Sequence, residues 1–283
     1  MNPVRRKAGE LLERMLNRSE YYRMYSENRA ESERHYEERL PSLLTGNERI
    51  NMHLQNRDAF PSYLALMSYI AFYTFKLFNL EMPEEKRYQF GDFYMGCFAE
   101  DRLIDSFPLD ERGEKLEEMI GDLRGSPAKG EVGELIIYLR QAYGNGFEEQ
   151  IGDICMVVEH QKRRHNAKTA SEFTQATIDM GKCVGRTVYT YGEQNIEIPK
   201  HLKKRIRIFC EEMGKLGDML DNYFDAKQDE EFFGIKLGAK AKAMDAYYML
   251  KSGLKMAWQL RIIGMPEFLW AAGMGAFRLK REG

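Results

Sequence analysis

The sequence predicts an all-α protein in a single domain. Three observations lead there. The eight prolines fall near the ends of long windows rather than inside them. Those windows carry apolar residues at helical period, and no run alternates apolar and polar as a half-buried strand would. The punctuation agrees with the periodicity. Thr169-Ala-Ser-Glu172 is a capping box, in which a threonine hydroxyl and a glutamate satisfy the first free amides of a helix. Pro199 suits a first helical turn, and Gly125, Gly144 and Gly192 suit C-terminal caps. In order, helices are expected over 4–38, 61–80, 84–105, 110–124, 131–144, 147–165, 170–191, 199–229, 238–262 and 266–279. Nothing repeats at a fixed period and no Ser/Gly-rich linker divides the chain. Residues 1–283 are therefore expected to form one domain, with a polar helical lead-in over 1–55, a core over 60–260 and a C-terminal helix within 261–283.

Composition excludes several classes of function. Lysine and arginine number 42 against 44 aspartate and glutamate, which leaves no basic footprint for nucleic acid. Cys97, Cys155, Cys183 and Cys210 stand far apart and read as reduced core thiols of a cytoplasmic protein. The basic start lacks the apolar stretch of a secretory signal. The most apolar window, 61–80, is interrupted by Ser62, Ser68 and Lys76, so a buried helix is expected there and no transmembrane segment. Contact with a membrane surface and a homodimer both remain open. No histidine follows a glutamate at the spacing of a di-iron bundle, and neither a Gly-rich phosphate loop nor a nucleophile elbow occurs.

Two acidic segments stand out. In 217–229, Asp221, Asp225 and Asp229 recur every fourth residue with Asp218 beside them. On a helix such neighbours lie roughly 5–6 Å apart and repel. Either water screens them or something positive sits between them. The same helix carries its apolar stripe elsewhere, on Leu202, Ile206, Phe209, Met213, Leu216, Leu220 and Phe224. The small residues Cys210, Gly214 and Gly217 lead up to the aspartates and suggest a face that borders a cavity. Upstream, Asp101 and Asp105 form a second pair. At 100° per residue they continue a stripe of Phe90, Tyr94, Cys97 and Phe98, which is expected to point inward. Paired carboxylates are hard oxygen ligands that suit Mg²⁺, an ion that also bridges to phosphate.

The spacing of Asp101-Arg-Leu-Ile-Asp105 and Asp221-Asn-Tyr-Phe-Asp225, with the Gly-containing helix 180–192 between them, resembles the class I isoprenoid (terpenoid) synthases. The nearest branch is the squalene and phytoene synthase-like one, and the likeness covers roughly 60–260. Asn222 stands where head-to-tail prenyltransferases carry a second aspartate. The resemblance implies an α-helical barrel or bundle around a deep apolar pocket, Mg²⁺ as cofactor and a prenyl diphosphate as substrate. It implies that Asp101, Asp105, Asp221 and Asp225 are catalytic metal ligands, with Asp218 and Asp229 beside them. Lys182, Arg186 and Lys227 become candidates for the diphosphate, although each also reads as a surface cation. Tyr94, Cys97, Phe98, Tyr189, Gly214 and Gly217 become candidates for the pocket wall. The basic run 160–165 reads as a solvated helix C-terminus. The expected reaction is ionisation of a prenyl diphosphate, followed by condensation or cyclisation of the carbocation. Two alternatives stand beside it: an inactive synthase-like partner protein, and an all-helical Mg²⁺-dependent nucleotide pyrophosphohydrolase.

Overall fold

Capping chemistry fixes where several helices begin and end. The computed structural model describes residues 27, 30, 31, 33–38, 41, 48–55, 73–125, 130–233, 236, 237 and 239–260. The helices with defined bounds are α1 (Glu48–Leu54), α2 (Glu84–Asp105), α3 (Arg112–Arg124), α4 (Glu131–Tyr143), α5 (Phe147–His165), α6 (Ala170–Asn195), α7 (Lys200–Phe233) and α8 (Ala239–Leu260). No strand occurs among the described residues, and no helix there is long and apolar enough to cross a membrane. Thr169 opens α6 as the sequence predicts. Its side chain accepts from Glu172 N at 3.2 Å, while the Glu172 carboxylate accepts from Lys168 N at 2.8 Å. Gly144 closes α4 with φ 73°, a backbone that only glycine adopts without strain.

Gly192 is not a cap. α6 continues to Asn195, and a Cβ at 192 would lie 1.9 Å from the Phe75 ring. That glycine makes room for an aromatic ring inside the helix. Of the expected helix 61–80, residues 73–76 are helical and 77–79 turn; the rest lies outside the described residues, as do 266–279 and most of 4–38.

Helix α2 has neighbours on several sides. Its N-terminal half packs on α4 and α6 through aromatic rings: Phe90 lies 4.6 Å from Tyr191 and Phe93 lies 4.9 Å from Tyr143. Tyr191 donates to Lys86 O at 2.7 Å, and Gln89 donates to Tyr143 O at 2.8 Å. The lead-in contributes too, because His35 stacks on Tyr88 at 4.3 Å and lies 3.3 Å from the Asp92 carboxylate. Burial therefore surrounds the helix. Asp92, Gly96, Ala99 and Leu103, which the helical wheel sets opposite the aromatic stripe, are all buried, whereas Cys97 and Phe98 are half-buried and Asp101 is exposed. The wheel assumes one inward face; α2 has neighbours on several.

The rest of the bundle follows the chain. α3 packs on α4 and α5, α5 on α6, α6 on α7 and α7 on α8. The α6–α7 pair is antiparallel and very close. A Cβ on Gly185 would lie 2.0 Å from the Cys210 carbonyl oxygen, and one on Gly214 would lie 2.0 Å from the Gly181 oxygen. This corrects the reading of Cys210 and Gly214 as a face with room for a ligand. The room is filled by the backbone of α6. Gly217 is exposed, with nothing among the described residues within 4 Å of where its Cβ would stand.

Candidate functional site

The last turns of α2, the last turns of α5 and the middle of α7 meet at one end of the bundle. Gln161 on α5 donates to Asp101 on α2 at 3.2 Å. Asp218 on α7 feels the charges of both Asp221 and Asp101, and Arg164 on α5 acts on both Asp105 and Asp218. The two acidic segments, far apart in sequence, thus share one electrostatic environment.

The inward polar residues are displaced by one position from the expected ones. On α2, Glu100 is buried while its neighbour Asp101 is exposed. On α7, Asp218 and Asn222 turn inward and Asp221 is exposed. Asn222, at 3% exposure, occupies an interior place that its apparent interruption of the motif conceals. Asp225, Asp229 and Lys227 belong to the final turns of α7, and their side chains lie outside the described residues.

Electrostatics at this end are strained. Burial pushes the Asp218 carboxyl up to about 7; Arg164 opposes the rise, while Asp221 and Asp101 add to it. Burial, then Asp101, pushes Asp105 up to about 6, against Arg112, Arg164 and Arg102. Glu100 is held well above the usual carboxylate range by burial and by Asp101 and Asp105, with Gln161 opposing. Arg112 anchors the turn after α2. Its Nη1 lies 3.4 Å from the Asp105 carboxylate, its Nη2 donates to Asp105 O at 2.5 Å and its Nε to Phe107 O at 3.0 Å. Several buried atoms nevertheless lack a hydrogen-bond partner among the described residues: Glu100 Oε1, Gln161 Oε1, Asp218 Oδ2 and Asn222 Nδ2.

A pH dependence follows. Asp218 and Asp105 bind protons more tightly in the folded than in the unfolded chain, where carboxyls titrate near 4. Their protonated forms favour folding fully below that value, and the benefit is lost as pH rises through about 6 and 7. The melting temperature without ligand is expected to fall between pH 5 and pH 8. A flat profile across that window would refute the assignment.

Beneath the carboxylates lies a cavity of about 70 Å³, lined by Phe93, Tyr94, Cys97 and Glu100 on α2 and by apolar residues of α3 to α6, including Val157 and Val184. Of the expected pocket-wall residues, Tyr94 and Cys97 line this cavity. Phe98 is not part of this lining; it is half-buried, with the Arg102 guanidinium 5.1 Å over its ring. Tyr189 is buried away from the cavity, its hydroxyl pushed up to about 12 by burial and Glu193. The volume is well below the roughly 300–1,000 Å³ of an ordinary ligand pocket.

Of the expected diphosphate contacts, Arg186 sits elsewhere. Arg186 lies 3.4 Å from Asp153 and 4.0 Å from Glu211. Asp153 precedes Arg164 by eleven residues, about 16 Å along α5 at helical rise. Lys182, one turn before Arg186, is half-buried and forms no ion pair among the described residues. The cations at the acidic end are Arg164 and Arg112 instead. Run 160–165 is thus only partly a solvated terminus: Gln161, at 4% exposure, and Arg164 turn toward the carboxylates. Sequence held one signal for Glu100, which sits three residues beyond Cys97 and seven beyond Phe93 and so shares their helix face. Nothing local marks Gln161 or Arg164.

Among the described residues, no three acidic, histidine or cysteine side chains converge closely enough to hold a metal. No protein-family model matches the chain, and neither a curated protein nor a solved structure matches it.

Proposed function

We propose that the protein is a Mg²⁺-dependent isoprenoid synthase that ionises a prenyl diphosphate and then condenses or cyclises the carbocation. One observation carries this reading: Asp101 on α2 and Asp218 with Asp221 on α7 act on one another at the same end of the bundle, above an apolar cavity. Carboxylates gathered this way repel unless positive charge joins them. Arg112 and Arg164 supply part of it, yet Asp218 Oδ2 and Glu100 Oε1 remain buried without a hydrogen-bond partner among the described residues. Carboxylate oxygens suit a hard divalent cation by type, but no three acidic side chains among the described residues converge closely enough to hold one, so the ion and diphosphate would have to draw them together. Asp101, Asp105, Asp218 and Asp221, with Asp225 from the sequence motif, would hold Mg²⁺, which neutralises charge on a departing diphosphate.

The chain's own residues would do the remainder. Arg164, whose charge acts on both Asp105 and Asp218, would offer its planar guanidinium to diphosphate oxygens, while Arg112 holds the turn after α2. Phe93, Tyr94 and the valines below exclude water from a reactive cation, whose charge the aromatic faces stabilise. The cavity has to widen to admit a prenyl chain.

The test is incubation with geranyl, farnesyl and geranylgeranyl diphosphates and Mg²⁺, reading diphosphate release and product mass. Mg²⁺ with inorganic diphosphate is expected to raise the melting temperature by on the order of 5 °C at saturation, and either alone by less. The Asp105–Arg112 ion pair favours a second reading, in which arginines already neutralise the acids and the protein is an inactive partner. Neither release nor a thermal shift would decide for that. Turnover of nucleoside triphosphates would instead indicate the pyrophosphohydrolase.

A further inference from the structure

The outer face of α8 is independent of the acidic site. Its inner face packs on α7, where Ser252 donates to Glu212 at 2.7 Å, Lys255 lies 2.9 Å from the same carboxylate and Met256 is fully buried. Its outer face carries Tyr247 (60% exposed), Leu250 (65%), Leu254 (64%) and Trp258 (79%). Those positions are three or four residues apart and form one stripe, along which a groove of about 410 Å³ runs. Single exposed apolar residues are ordinary, whereas a contiguous row of large ones marks an interaction surface.

The charges beside the stripe identify what it fits. Lys251 lies 5.8 Å from the Tyr247 ring and 5.5 Å from the Tyr248 ring, whereas Lys255 shares its charge with Glu212 and Lys242 lies over the Tyr223 ring of α7. The one carboxylate of α8, Asp245, is buried. The face is thus apolar and cationic with no acid of its own. A second copy docked about a two-fold axis would bring the same patch against itself and set lysine against lysine. An anionic bilayer surface complements it instead. Leucines enter the acyl boundary, Trp and Tyr rings sit at headgroup depth, and Lys251 reaches back to lipid phosphates.

We infer that the outer face of α8, through Tyr247, Leu250, Leu254 and Trp258 flanked by Lys251, binds the surface of an anionic lipid bilayer.

The test uses the full chain with vesicles of phosphatidylcholine alone or mixed with phosphatidylglycerol, read by co-sedimentation. Binding is expected with the mixed vesicles, weakened by salt, and weaker by about tenfold or more on neutral ones. Leu250→Glu with Leu254→Glu is expected to abolish it. These positions are exposed, so helicity by circular dichroism should not change. Lys251→Glu should reduce affinity several-fold on the anionic vesicles alone. No binding to mixed vesicles, or binding that survives the double variant, would overturn the inference. So would self-association in sedimentation equilibrium that the double variant removes without any vesicle binding; a second copy would then cover the face. Capture of an acidic amphipathic peptide in place of vesicles would overturn it in favour of a protein partner.

Discussion

In the Asp218→Asn variant, turnover of a prenyl diphosphate is expected to fall by about 100-fold or more, while the melting temperature at pH 8 rises. The two effects share a cause. Asp218 is pushed up to about 7 by burial and by neighbouring acids, so at pH 8 its ionised form costs stability. The amide removes that charge at nearly constant volume, and with it the negative oxygen that a cation needs. At pH 5 the wild-type carboxyl is already protonated, and the stability difference should vanish. A plain counter-ion of Arg164 behaves oppositely, because neutralising it strands the arginine. Melting curves at pH 5 and pH 8, beside diphosphate release, separate the cases. A variant less stable at pH 8 with unchanged turnover would remove Asp218 from the site.

Gly185→Ala is expected to destabilise the fold by about 3 kcal/mol or more. Its Cβ would lie 2.0 Å from the Cys210 carbonyl oxygen and 2.7 Å from the Glu211 Cα. Backbone, unlike a side-chain tip, cannot swing aside, so α6 and α7 would have to separate. The same crossing carries Gly181 and Gly214, and its loss would displace Asp218 one turn further along α7. Gly217→Ala is the control. Nothing among the described residues stands within 4 Å of its Cβ, and alanine in an exposed helix position is favoured by about 1 kcal/mol. Denaturation midpoints should therefore move in opposite directions for the two variants. Equal shifts would mean that the helices do not cross as closely as described.

Helix positions were legible because caps and periodicity are local. Thr169 with Glu172 opens α6, Gly144 ends α4, and α2 and α5 begin and end at the positions that the pattern predicts. The inward direction of polar residues was less legible. A helical wheel orders residues around an axis but holds no information on how many neighbours a helix has. For α7, which shows one apolar stripe, the wheel is right about Ile206, Phe209 and Met213, all buried. For α2, enclosed on several sides, it misses the buried Glu100 and turns inward Asp101, which is exposed.

The sequence by itself determined an all-helical protein, the two acidic helices and the aromatic run that fills the centre of α2. Those properties depend on residues within a few turns of one another. Only the tertiary structure decided that Asp101 and Asp218 share an environment, that Arg164 and Gln161 join them while Arg186 does not, and that glycines of α6 and α7 serve a helix crossing. These depend on the packing of α2, α5, α6 and α7. A residue such as Arg164 meets Asp105 across 59 positions of chain, a separation over which spacing says nothing and packing decides.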